Sequence, residues 1–197
     1  MTNVMLPGNP RYQPKSIVEV FGYDNLIKAA VEVEIATLET LGERGIIPKS
    51  IFELLTPDVK VALMSITTTE VDIIERKVTK HDVRALVHRM QQIIPESLRR
   101  FVHVPLTSYD VLDTARALQF SRAHKNVLTP LVREVIVGFQ YQALRYAETV
   151  QIGRTHGQHA LPITVGFWFA NILMRILKIR LGCVRVQIGS WERSLAQ

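Results

Sequence analysis

The sequence predicts an all-α fold, and three observations predict it. Apolar residues recur at the 3.6-residue period of a helix along most of the chain, helix-capping signatures stand where these segments begin, and strand-type alternation is confined to "VRVQI", Val184 to Ile188. A hydrophobic fraction of 47% over 197 residues is enough to bury a core, as one large domain or two small ones.

The elements follow in order. Asp24 is a candidate N-cap for a helix whose apolar positions Leu26, Ala30, Val33 and Leu41 are widened by Ile27, Val31, Ile35 and Leu38, so it buries more than one side; Gly42 and Gly45 stop it. Pro48 and Pro57 mark the starts of two short helices, the second behind Thr56. "TTTE", Thr67 to Glu70, has capping-box spacing ahead of Val71, Ile73 and Ile74. "TKHD", Thr79 to Asp82, repeats it ahead of Val83, Leu86, Val87 and Met90, which puts His81 and Asp82 in a first helical turn; Pro95 closes the segment.

From Thr107 the helical pattern restarts with Val111, Ala115 and Leu118, breaks at Thr129-Pro130 and runs to about Val150. The segment after Pro162 is helical again through about Leu181. A composition shift at "HVPLTS" predicts a boundary between an N-terminal helical domain over residues 1–106 and a second domain over 107–197.

Composition excludes several classes. No tract repeats at a fixed period, which argues against a solenoid. The net charge of +6 and pI near 9.7 are spread along the chain. That balance suits an anionic small molecule, while the absence of an aromatic-rich basic stripe argues against a nucleic-acid partner; Arg99-Arg100, the densest pair, reads as a solvated helix end. The single Cys183 can form no intramolecular disulfide and has no partners for zinc, which predicts a reducing, cytoplasmic setting. "MTNVMLPGNPRYQPK" lacks the features of a signal peptide, and the longest uncharged stretch, Ala160 to Met174, is too short for a bilayer, so no membrane partner is expected.

Three polar stretches lie between the apolar helices: "TKHDV", "HVPLTSYDVLDTA" and "GRTHGQHALP". Each falls at a helix start or a turn, where unpaired backbone N–H groups can bind carboxylate or phosphate oxygens. A metal is not expected, because His156 and His159 are separated by Gly157 and have no HExxH context. His88 and His124 stand on helices outside any motif and read as structural, whereas His103 is left open.

Together these stretches resemble the fumarase/aspartase superfamily, and within it the adenylosuccinate lyases. The resemblance is carried by Arg11-Tyr12, "TKHDVRAL" at 79–86, "VPLTSYDVLDTA" at 104–115 and "GRTHGQHALPITVG" at 153–166. It implies an N-terminal helical domain followed by the first part of a long-helix bundle, assembled as a homotetramer, with an anionic nucleotide substrate and no cofactor. It also implies β-elimination of fumarate from adenylosuccinate and from its carboxamide-ribotide analogue.

By the same resemblance Arg11 and Tyr12 hold the nucleotide phosphate, and His81 with Asp82 lies beside the substrate. Thr107, Ser108 and Thr155 hold the succinyl carboxylates. His156 is the general acid that protonates the departing purine amine, a task suited to an imidazole that titrates near neutral pH. Gln158 and His159 support the turn and Arg154 orders it.

The match breaks at a third signature. The superfamily's Gly-Ser-Ser-x-Met-Pro-x-Lys-x-Asn-Pro loop, which carries the serine base, is absent; the nearest string is Gly189-Ser190-Trp191. A Gly-Lys-x-Ser-Gly-Ala turn is missing too. The chain is therefore expected to be an N-terminal portion, inactive alone, with apolar faces around Ile172, Leu173, Ile176 and Leu177 that drive self-association. Two other readings stand beside this one: a carboxymuconate cycloisomerase of the same superfamily, and a catalytically inert helical oligomerisation module.

Overall fold

The computed structural model describes the backbone over residues 9–195, and side chains at residue 9 and over 11–180. The expectations for residues 1–8 and for the side chains of Cys183 and of Gly189-Ser190-Trp191 lie outside what it describes. Contacts divide the chain into two units, Met1–Val127 and Leu128–Gln197.

In the first unit, α1 (Lys15–Phe21), α2 (Tyr23–Glu43), α3 (Lys49–Phe52), α4 (Pro57–Met64), α5 (Thr68–Ile74), α6 (Asp82–Ile93) and α7 (Ser108–Ala123) surround one core. Leu38 of α2, Leu63 of α4, Leu86 and Met90 of α6, and Val111 of α7 are sealed from solvent in it. The 21-residue α2 contributes on several sides, as its wide apolar face requires. It ends in a Schellman turn: Ile46 N–H bonds Leu41 O (2.9 Å), Gly45 N–H bonds Gly42 O (3.0 Å), and Gly45 takes the left-handed φ of 72° that the motif needs.

The caps follow the sequence with two corrections. Thr56 caps α4 through Val59 N–H, and Thr67 and Glu70 form the expected capping box on α5. Gly22, not Asp24, is the N-cap of α2; Asp24 lies inside the first turn and accepts a hydrogen bond from the Thr68 hydroxyl. His81, not Thr79, is the N-cap of α6, because Glu75–Thr79 winds on as a π-helical turn that Lys80 ends at a φ of 56°.

Helix α7 docks on α1 through Gln119 and on α2 through Arg122. Gln119, almost wholly buried, donates to Val20 O (2.8 Å), and the Arg122 guanidinium forks onto the carboxylate of Glu32, with one arm at 3.1 Å. The division between the two units falls within a second π-helical turn, His124–Leu128.

The second unit holds α8 (Thr129–Arg145), β1 (Val150–Thr155), β2 (Gln158–Thr164) and α9 (Val165–Leu195). Phe139 of α8 and Phe169 of α9 meet edge to face at 5.8 Å. Three expectations are corrected here. Helix α8 stops at Arg145 rather than near Val150. "QIGRTHGQHALP" is an antiparallel hairpin, paired from Val150↔Thr164 to Thr155↔Gln158 and bulged between Ile152 and Arg154. Val184 to Ile188 is helical: α9 runs on through it, and among the described residues no strand lies free to pair with it. The fold is all-α with one small hairpin.

Ile172, Leu173, Ile176 and Leu177 are half-buried in this unit, whereas Met174 and Ile179 are exposed. No helix among the described residues is long and apolar enough to cross a membrane.

Candidate active site

Two helix starts in the first unit come together. His81 caps α6, and Ser108 opens α7 behind its N-cap Thr107. Ser108 Oγ stands 3.5 Å from His81 Nε2. Thr107 donates both its N–H and its hydroxyl to Asp110 Oδ2, each at 2.7 Å, which fixes the loop where α7 begins. The same two bonds, backbone first, hold the Asp110 carboxyl below the ordinary 3.8.

The His81 ring has a definite sense. Its Nδ1 is 3.1 Å from Asp82 Oδ1 and 3.5 Å from Arg84 N–H. Nδ1 accepts the Arg84 N–H as the side-chain cap of α6, which leaves Nε2 as the nitrogen that meets the Ser108 hydroxyl. Asp82 is itself fastened, accepting Val83 N–H at 2.7 Å.

His81, Thr107 and Ser108 line one cavity of about 280 Å³ with Arg84 and His103. Two hydroxyls, two imidazoles and a guanidinium with no ion pair among the described residues make a lining fitted to an anion. Arg84 went unnoticed in the sequence although it stands three residues after His81, one turn along the same face.

His103 is settled by the structure. Glu34, fully buried at 0% exposure on α2, accepts from the His103 backbone N–H (3.1 Å to Oε2) and meets its Nδ1 at 2.7 Å from Oε1. Burial pushes the Glu34 carboxyl up, and the contacts from His103 oppose that rise. The sequence did carry a signal for Glu34: it falls at three- and four-residue spacing from Val31 and Leu38, a charge on an apolar stripe.

Thr155 and His156 belong to the second unit. Thr155 ends β1, and His156-Gly157 is the two-residue turn of the hairpin, with φ of 50° and 74°, the positive pair that a type I′ turn demands. His156 is exposed at the tip, and no hydrogen-bond partner faces it among the described residues. Arg154, Gln158 and His159 are exposed strand residues beside it. Arg11 and Tyr12 sit in a 3₁₀ turn, both exposed, with the guanidinium 5.8 Å over the neighbouring ring, and neither lines the cavity around His81. His88 bonds Gln92 along its own helix at 3.3 Å.

A family model described as "Lyase" matches residues 25–178. The chain belongs to the lyase family. Curated adenylosuccinate lyases set this lyase chain within the fumarase/aspartase superfamily: the protein of Archaeoglobus fulgidus is 35% identical over 190 residues, 94% of the chain and 41% of that protein. Among solved structures, a fumarate lyase from Mesorhizobium sp. BNC1 superposes with a TM-score of 0.73 at 24% identity, over 87% of the chain and 40% of that structure. A β-carboxy-cis,cis-muconate cycloisomerase from Acinetobacter calcoaceticus superposes with a TM-score of 0.70 at 26% identity, over 84% and 38%. This lyase chain spans less than half the length of the curated relatives it matches.

Proposed function

We propose that the chain supplies the carboxylate-binding and acid-bearing parts of an adenylosuccinate lyase of purine nucleotide biosynthesis. In this reading the enzyme eliminates fumarate from adenylosuccinate and from the succinyl-aminoimidazole carboxamide ribotide. The observation that carries the reading is the cavity where His81, Thr107 and Ser108 meet at the starts of α6 and α7 beside Arg84.

Thr107, Ser108 and Thr155 hold the succinyl carboxylates through hydroxyls and helix-start amides. Arg11 and Tyr12 hold the phosphate, and His81 orders the substrate between them. As the Cβ proton is withdrawn and the C–N bond breaks, His156 gives a proton to the purine amine, so that fumarate and a neutral amine leave. The proton-abstracting serine is not in these 197 residues. The working enzyme is a cytoplasmic homotetramer that needs neither metal nor cofactor.

The Acinetobacter likeness favours a second reading, cycloisomerisation of a carboxymuconate. Against it, "TKHD" with Arg11-Tyr12 suits a nucleotide, and His156 is a residue those enzymes often lack. A third reading is an inert oligomerisation module.

An absorbance assay separates the three. Adenylosuccinate cleavage is followed with the chain alone and mixed with a loop-bearing subunit that lacks the acid histidine. Turnover only in the mixture is the expected result. Turnover of carboxymuconate instead selects the cycloisomerase, and silence with both substrates leaves the inert module.

A further inference from the structure

We propose that Glu34 is a positioning residue of this cavity: from the core face of α2 it clamps the backbone and ring of His103, so that Nε2 is the nitrogen the ring presents to Arg84, Thr107 and Ser108.

The geometry is one-sided. Both carboxylate oxygens of Glu34 go to His103, one to its backbone N–H and one to Nδ1. The two residues are 69 apart in sequence, and no other hydrogen bond to Glu34 is seen among the described residues. With Nδ1 committed to the core, Nε2 lies at the far edge of a ring that lines the cavity. His103 also holds a left-handed φ of 66°, which a non-glycine residue keeps only where its surroundings impose it. The Glu34 bond to the His103 amide is one of those constraints.

A packing role alone does not need this arrangement. A carboxylate at 0% exposure is costly, and an apolar side chain on the same stripe would fill the space without that cost. What the carboxylate adds is control of the proton. With Nδ1–H given to Glu34, Nε2 is the ring nitrogen left to face the cavity. His81 and Arg84 of α6 and Asp110 of α7 are the ionisable groups around the cavity side of the ring.

The proposal rests on the reading above, in which the cavity receives an anionic substrate, but its test needs no turnover. Nitrogen-15 NMR of the labelled histidines in the 197-residue chain reports which ring nitrogen carries hydrogen. We expect neutral His103 to be the Nδ1–H tautomer, against the Nε2–H preference of free imidazole. Glu34→Gln is expected to reverse it. The amide oxygen must take the backbone N–H, which leaves the amide NH₂ to donate to Nδ1. Circular dichroism checks that the variant keeps its helices.

An Nε2–H tautomer in the unaltered chain overturns the proposal, and so does an unchanged tautomer in a folded Glu34→Gln chain. The first measurement decides even where the variant does not fold. A silent mixed-subunit assay with the Nδ1–H tautomer present would remove the lyase reading and leave the clamp standing.

Discussion

Ser108 Oγ lies 3.5 Å from His81 Nε2, so the first residue of α7 meets the N-cap of α6. Each helix start is secured on its own side, α6 by Asp82 on Val83 N–H and α7 by Asp110 on Thr107. The two polar motifs therefore reach one cavity from rigid elements, where a histidine, two hydroxyls and helix-start amides need little rearrangement to take an anion.

His156 can be tested apart from the turn it forms. Asparagine adopts left-handed φ more readily than most residues, so His156→Asn should keep the hairpin and its melting temperature while removing the imidazole. In the mixed enzyme it should lower turnover by about 10²- to 10⁴-fold, the usual contribution of a general acid. Unchanged turnover would take the acid role from His156.

Glu70 sets a pH-dependent part of stability. Its carboxylate accepts Thr67 N–H at 2.9 Å and a two-armed grip from Arg89 at 3.1 and 2.7 Å. These contacts, Thr67 N–H foremost, hold its pKa below the ordinary 4.5 despite some desolvation. A folded pKa below the unfolded one gives stability that is present in full above the unfolded value and lost as pH falls through the folded value. Glu70→Gln should cost about 1 kcal/mol at neutral pH, the cap and a half-exposed, screened ion pair together. Urea midpoints of the two proteins should converge in acid; a gap that persists there would contradict the assignment.

Gly166 is where α9 leaves β2 against the end of α8. A Cβ there would stand 2.4 Å from Ala143 O and 2.6 Å from Ala147 Cα, both backbone atoms that cannot swing aside. Gly166 N–H also bonds Tyr146 O at 2.8 Å. Gly166→Ala should destabilise the second unit by about 1–3 kcal/mol. Tryptophan fluorescence reports this directly, since Trp168 and Trp191 both lie in α9. An unshifted unfolding transition would mean that the helices separate there without cost.

Local chemistry explains why some elements were legible. Thr56-Pro57, the Thr67–Glu70 box and the Gly45 stop each act within five residues, so the bonds that define them are written in nearby letters. The hairpin was not legible in this way. Gly153 and Pro162 interrupt its alternation, and its register depends on Ile152 opposing Pro162 across a bulge. "VRVQI" failed for the opposite reason: its alternation is real, but a strand needs a partner and a helix does not.

By itself the sequence determined the helical class, most helix starts, the three polar motifs and their family. These depend on periodicity, caps and short strings, all of which are local. Only the tertiary structure decided that His81, Arg84, His103, Thr107 and Ser108 share a cavity, that α7 docks on α2, and that His156 tips a hairpin. It also decided that a glutamate on an apolar stripe meets a histidine 69 residues away. Such contacts arise from burial and chain closure, where a charged group in the core must find its partner wherever the packing brings one.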